Sequence, residues 1–355
     1  MRKMKRKVNL FAIGDIFLGL DGIELIEEDY KFPFLRISNV FKEADLVFGN
    51  LEGPLSNDGE PIKKSSQYSS PTAIHSLKYA GFNVLSLANN HIFDYGERAF
   101  LKTIELMEKN NISYVGAGRN LEEARRATLF HINGVNIAFL AYSWDFIGSV
   151  NATNSRFGTA PLKADIIEED ILSTKELADI IIVSLHWGYE RERYPLPSQR
   201  NLAHKIIDAG ADLIIGHHPH VLQGIEHYKN GVIAYSLGNF VFTAKSYFKM
   251  WGNEEKESII LKCEISKKGI EKIDMIPIHV SDSFQLVILK NERKKESLSR
   301  MESLSEHFQG KNYLSFWKKN RIRKDLPDIY KFQIDKGIVY KLYKSRMWRL
   351  ILKHI

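Results

Sequence analysis

Six polar clusters in the 355-residue chain set ligand-type side chains beside glycine or proline, most of them just after an apolar run. In order they are Gly14-Asp15, Gly49-Asn50-Leu51-Glu52-Gly53, Asn89-Asn90-His91-Ile92-Phe93-Asp94-Tyr95-Gly96, His186-Trp187-Gly188-Tyr189-Glu190, Gly216-His217-His218-Pro219-His220 and Ser236-Leu237-Gly238-Asn239-Phe240. Carboxylate, amide and imidazole without a thiol suit zinc, manganese or iron, and a carboxylate able to bridge suits a pair of ions. His218-Pro219-His220 is the hardest to explain by packing, because histidines fixed around a proline cost solvation and bury little apolar surface. The others have ordinary uses as well. Gly14-Asp15 and Gly49 to Gly53 read as turns, and Asn90-His91 as a cap for a helix beginning near Gly96. His186 reads as a satisfied core histidine and Trp187 as core packing. If His218 points inward, its neighbour His217 is expected to point elsewhere.

Loops leaving the carboxyl ends of strands in an α/β sheet converge on one crevice, so the elements decide whether these clusters meet. Strand-like runs are Val8–Ile13, Leu46–Gly49, Asn83–Leu87, Ile180–Leu185 and Leu213–Ile215, and five of the six clusters directly follow such a run. Helical spacing covers Pro71–Ala80, Gly96–Asn110, Ala164–Leu177 and Ser198–Ala209. Asn133-Gly134, Lys229-Asn230-Gly231 and Lys267-Lys268-Gly269 each separate apolar runs and read as hairpin turns. Parallel units mixed with hairpins imply mixed sheets.

With 44% hydrophobic and 26% charged residues, the chain is neither disordered nor a multi-span membrane protein. Its one cysteine, Cys263, excludes an internal disulfide and a thiol-rich zinc site. The net charge of +7 is uneven: residues 290–355 hold 18 Lys and Arg against 7 Asp and Glu, which leaves the rest of the chain at −4. We therefore divide the chain at Leu289 into a body, 1–289, and a basic, mainly helical extension, 290–355. From Tyr340 to Ile355 helical spacing gathers aromatic and aliphatic residues opposite Arg346, Arg349 and Lys353. Such a helix suits an anionic membrane surface, and equally a face docked on the body. No reader motif accompanies the charge, so nucleic acid is not an expected partner. The basic start is followed by an apolar stretch too short for a secretion signal, which gives a cytoplasmic expectation, peripheral at the membrane if the tail binds there.

Taken together, Gly14-Asp15, Asn50-Leu51-Glu52, Asn89-Asn90-His91 with Asp94, His186-Trp187-Gly188, His218-Pro219-His220-Val221-Leu222-Gln223 and Ser236 to Phe240 resemble the CapA family. That family is named for poly-γ-glutamate capsule synthesis and is related to calcineurin-like metallophosphoesterases. The resemblance runs from about Val8 to Phe242. It implies a four-layer αββα sandwich of two mixed sheets and a centre for two divalent ions. By that resemblance Asp15 and His220 serve the first ion, Glu52 bridges, and Asn90, His186 and His218 serve the second. His91, steered by Asp94, meets the leaving group. Apart from the resemblance, Asn50, Trp187, Glu190 and Asn239 are expected as substrate contacts from their place beside the other clusters. Two positions depart from the phosphoesterase pattern: Phe17 stands where a histidine is usual, and Glu52 where the bridging residue is Asp. The resemblance implies a metal-dependent hydrolase or transferase acting on an anionic polymer or its precursor. Its alternative is a non-catalytic accessory protein docked on a membrane polymer synthase.

Overall fold

Along the first strand the apolar residues alternate, and the alternation decides which layer each one meets. The structure, a computed structural model, describes residues 7–321 apart from 64, 147, 246–251, 253 and 311. In chain order the strands are β1 (Val8–Phe17), β2 (Leu46–Leu51), β3 (Val84–Ser86), β4 (Ser113–Val115), β5 (Ala117–Gly118), β6 (Thr128–Ile132), β7 (Val135–Ser143) and β8 (Gly158–Thr159). They continue with β9 (Ile180–His186), β10 (Leu213–His217), β11 (Ile225–Tyr228), β12 (Gly231–Ala234), β13 (Asn239–Phe242), β14 (Glu257–Ser266), β15 (Gly269–Val280) and β16 (Leu286–Ile288). The first sheet runs β16-β15-β14-β1-β2-β3-β4, with β13 alongside the end of β1. The second runs β11-β12-β10-β9-β7-β6, and β5 and β8 form a small separate pair. Both large sheets are mixed: β1, β2, β3 and β4 pair parallel, as do β7, β9, β10 and β12, whereas β14, β15, β11 and β6 pair antiparallel.

Leu10 and Ala12 of β1 and Phe48 of β2 face Ile137, Phe139, Ile180 and Ile182 of the second sheet, making the central apolar layer. Their neighbours Phe11, Ile13 and Val47 turn the other way, onto α3 (Ala73–Ala80) and α4 (Gly96–Lys109), through Ile74, Leu77, Phe100 and Ile104. Ile181, Val183 and Ile214 meet α6 (Ala164–Thr174) and α7 (Pro197–Ala209) on the far side. The chain is therefore the four-layer α/β sandwich expected of it. Short helices α1 (Gly22–Glu28), α2 (Ser38–Phe41) and α5 (Leu121–Arg125) fill in between.

The hairpin between β6 and β7 closes on Ile132 opposite Val135, with Asn133 at φ +52° and Gly134 at +81°, as its Asn-Gly sequence demands. Beyond Leu289, α8 (Asn291–Glu306) and α9 (Tyr313–Asn320) lie on the body. Met301 and Leu304 join the central layer, and Phe308, Tyr313 and Trp317 join the layer around α7. The Tyr313 hydroxyl donates to the Pro195 carbonyl at 2.6 Å, and Arg200 donates to the Phe308 carbonyl at 2.7 Å. The helix read at 340–355 lies outside the described residues.

Candidate metal centre

Strand register brings the polar clusters together. Asp15 of β1 stands opposite Asn50 on β2 and opposite Asn239 on β13, while His186 of β9 stands opposite His217 of β10. Gly14 is required for this convergence. A Cβ there would sit 1.9 Å from the Gly238 carbonyl oxygen, to which the Asp15 amide donates at 2.9 Å. The pairing shifts on either side of Asp15, and β1 continues beyond Ile13 because Ile16 pairs with Leu51 of β2 and Phe17 with Phe242 of β13.

After β10 the chain adopts left-handed backbone at two non-glycine residues, His218 at φ +94° and His220 at +58°. Such positions cost about 1–3 kcal/mol each and persist only where the surroundings impose them. Here the His218 amide donates to Asp15 Oδ2 at 3.1 Å, and the Pro219 carbonyl accepts the Arg191 amide at 2.8 Å.

Two groups of ligand atoms result. Glu52, His186 and His218 offer atoms within 4.8 Å of one another, and so do Asp15, Glu52 and His220. Glu52 belongs to both. It is fully buried, and neither of its carboxylate oxygens has a hydrogen-bond partner; His218 Nδ1 is likewise buried without one. Orphaned polar atoms of this kind are expensive unless something else satisfies them, and a divalent cation does so for carboxylate and imidazole together. The residues present therefore fit the metal that their chemistry suggests. Burial pushes the Glu52 carboxyl up to about 8. Burial also drives His186 and His218 well below the usual imidazole range, which keeps them in the neutral, ligating form. At His220 burial works the same way, but the charges of Glu52 and Asp15 outweigh it and lift the ring to about 9.

Beside Glu52 sits the pair His91 and Asp94. Asp94 Oδ2 is 2.7 Å from His91 Nδ1, so it holds a proton on that nitrogen, and His91 Nε2 lies 3.9 Å from Glu52 Oε1. Burial lowers the His91 imidazole, with Asp94 opposing in part. Asn90 does not cap α4, whose first turn begins after Tyr95 without a side-chain cap; its Oδ1 instead lies 2.9 Å from His186 Nε2.

The four residues read as substrate contacts fall differently. Asn50 is fully buried, donates to Asp15 Oδ1 at 2.8 Å and lies 3.4 Å from His186 Nδ1, so it orients ligands. Asn239 is equally buried and holds His220, its Oδ1 2.8 Å from Nδ1. Glu190 is exposed and close enough to add its charge to those acting on Glu52 and His220. Trp187 turns away: it packs in the layer around α7, stacks on Tyr235 and donates from Nε1 to the Tyr235 carbonyl at 3.1 Å. One position along the strand reverses the face, so His186 reaches the centre and Trp187 does not.

The expectation for His217 is corrected. It is fully buried, its ring lies against Phe48 in the space between the sheets, and Nδ1 is 3.2 Å from Asp15 Oδ1. Asp15 reaches His217 from the facing sheet, so His217 and His218 serve the same pocket from different sides. Phe17 offers no ligand and packs on Phe242 at 4.9 Å. No sequence signal marks Lys63, which lies 2.8 Å from Asp94 Oδ1.

Fold and site together define a two-sheet α/β sandwich whose strand ends gather a carboxylate–imidazole cluster of metal-ligating type. Residues 9–244 match the family described as bacterial capsule synthesis protein PGA_cap, and the chain belongs to that family. It is 34% identical to the capsule biosynthesis protein CapA of Bacillus anthracis over 286 residues, 78% of this chain and 68% of that one. It is 33% identical to the PGA biosynthesis protein CapA of Bacillus subtilis over 304 residues, 83% and 78% of the two chains. A Mycobacterium tuberculosis relative, 29% identical over 71% of each chain, is named a probable polyglutamine synthesis accessory protein. Among solved structures, a 5'-nucleotidase precursor from Thermus thermophilus aligns with TM-score 0.49 at 11% identity, over 84% of this chain and 58% of that one.

Proposed function

We propose that this protein is a metal-dependent hydrolase or transferase of capsule production, acting on an anionic polymer of the poly-γ-glutamate kind or on its precursor. The observation that carries this reading is Glu52, buried, without a hydrogen-bond partner and shared by two ligand groups, with His220 Nε2 3.8 Å and His91 Nε2 3.9 Å away. Asp15 and His220 would hold one divalent ion, His186, His218 and Asn90 a second, and Glu52 both. Manganese, zinc or iron would suit these ligands; such an ion would polarise the carbonyl or phosphoryl group under attack and lower the pKa of a water. Asp94 fixes the His91 ring and its tautomer, which leaves Nε2 free to take the proton given up by the attacking water and pass it to the departing group. Asn50 and Asn239 keep Asp15 and His220 in place while substrate binds.

Purified protein supplied with Mn²⁺ and poly-γ-glutamate should generate new chain ends, and His91→Gln should keep its metal but lose about 10²–10⁴-fold in rate, the usual worth of one acid–base group. A wild type that holds metal and leaves both polymer and phosphodiester probes intact points to the second reading, a binding accessory of a polymer synthase. Phe17 favours that second reading, since a phenyl ring packed on Phe242 replaces a potential ligand. The basic extension suits a place at an anionic membrane surface in either case. No helix among the described residues is long and apolar enough to cross a membrane.

A further inference from the structure

Lys63 reaches the His91–Asp94 pair from the loop after β2. Its ammonium lies 2.8 Å from Asp94 Oδ1 and 2.9 Å from the carbonyl oxygen of Asn90, the residue just before His91. Of its three N–H donors, the Asn90 carbonyl takes one, and the contact with Asp94 Oδ1 is an ion pair without hydrogen-bond alignment. The Lys63 side chain keeps 18% exposure where Asp94 has none, so the cation stands between the buried pair and solvent. Asp94 does not depend on it for orientation. Its Oδ2 already accepts the Gln67 amide at 2.8 Å and lies 2.7 Å from His91 Nδ1. The lysine stem is also guided: a Cβ on Gly148, at φ +87°, would come within 3.1 Å of Lys63 Cδ. A cation held at the pocket edge, one residue from the proton donor and with a donor in reserve, has the character of an anion-recognition group.

On the premise of the polymer reading above, we propose that Lys63 binds the carboxylate of the substrate residue that departs past His91. The pocket thereby selects a leaving residue that is itself anionic. In a γ-linked polyglutamate every residue carries a free carboxylate beside the chain bond, so the selection is for the polymer's own repeat. A charge-assisted hydrogen bond at a partly desolvated site corresponds to about ten- to a hundred-fold in affinity.

The test uses the full chain and calorimetric binding of two probes, a short γ-linked glutamate oligomer and the same oligomer with its side carboxylates converted to amides. The wild type is expected to prefer the charged oligomer by about ten-fold or more. Lys63→Met should abolish that preference, and Lys63→Arg should retain most of it. If Lys63→Met does not fold, Lys63→Gln carries the same comparison with a polar stem. An unchanged preference in the neutral variant overturns the assignment and leaves the polymer reading standing. Equal loss of affinity for both oligomers also overturns it, because a mere prop for Asp94 would weaken them alike. A wild type that binds neither oligomer overturns the polymer reading and the assignment together.

Discussion

Metal ligands are legible at the residue scale because they waste packing. His218-Pro219-His220 buries little apolar surface and is held at two left-handed backbone positions, which makes sense only if the side chains are wanted where they are. His217 is not legible in this way. Its use depends on Asp15 arriving from the facing sheet, a contact between distant parts of the chain that no local pattern announces. Either His218→Ala or His220→Ala should therefore lose bound metal while leaving the thermal midpoint nearly unchanged, because their loops are not the scaffold. Full metal content in both variants sinks the ligand assignment. His217→Ala is expected to lower affinity for the ion shared by Asp15 and His220, through loss of the contact that fixes Asp15. A second residue-scale expectation concerns Cys263, whose thiol burial pushes up to about 12. It should resist iodoacetamide at pH 8 in the native protein and react on unfolding; prompt native labelling would contradict its burial.

Turn chemistry makes the hairpins readable at the scale of elements, and helical spacing does the same for α3, α4, α6 and α7. Shorter pieces escape. β13 has four residues and, among the described residues, its ladder runs along the irregular end of β1, so in sequence Gly238-Asn239-Phe240 reads as a strand end with an apolar plug. In sequence α8 and α9 read only as part of a helical, basic stretch, yet they dock through a polar hub. In it, Glu226 accepts from Arg200 at 2.7 Å and from the Tyr235 hydroxyl at 2.7 Å, and lies 3.1 Å from His204, while Arg200 also holds the Phe308 carbonyl. Burial would raise the Glu226 carboxyl, but its His204, Arg200 and Tyr235 partners outweigh this and hold it below its ordinary 4.5. A depressed carboxyl contributes stability above its unfolded value and loses it as pH falls through the folded one. Glu226→Gln should thus cost about 2 kcal/mol at neutral pH. The gap between variant and wild type should narrow on acidification below about 4.5. Urea midpoints at pH 7 that coincide would remove the hub from the argument.

The pattern change at Leu289 is real in composition for the whole molecule, but packing continues past it. Met301, Leu304, Phe308, Tyr313 and Trp317 are buried, and burying a large apolar side chain is worth about 1.5–3 kcal/mol. A chain ending at Leu289 should therefore aggregate or unfold, whereas one ending at Arg321 should keep its fold and its metal. If the shorter chain is as stable as the longer, α8 and α9 are not part of the folding unit. Removing 322–355 isolates the remaining basic stretch: binding to anionic vesicles should drop, and in the intact chain it should weaken with salt.

Glu52 joins these scales, since one buried carboxylate at the end of β2, its amide donating to the Ile16 carbonyl, is shared by two ligand groups. The decisive measurement is the metal-to-protein ratio of the purified chain after equilibration with Mn²⁺ and removal of the free ion. About two ions per chain are expected, with Glu52→Gln losing most of both because, among the described residues, no other residue belongs to both groups. A wild type that retains no ion, or a Glu52→Gln variant that retains as much as the wild type, would contradict a metal centre built around this residue.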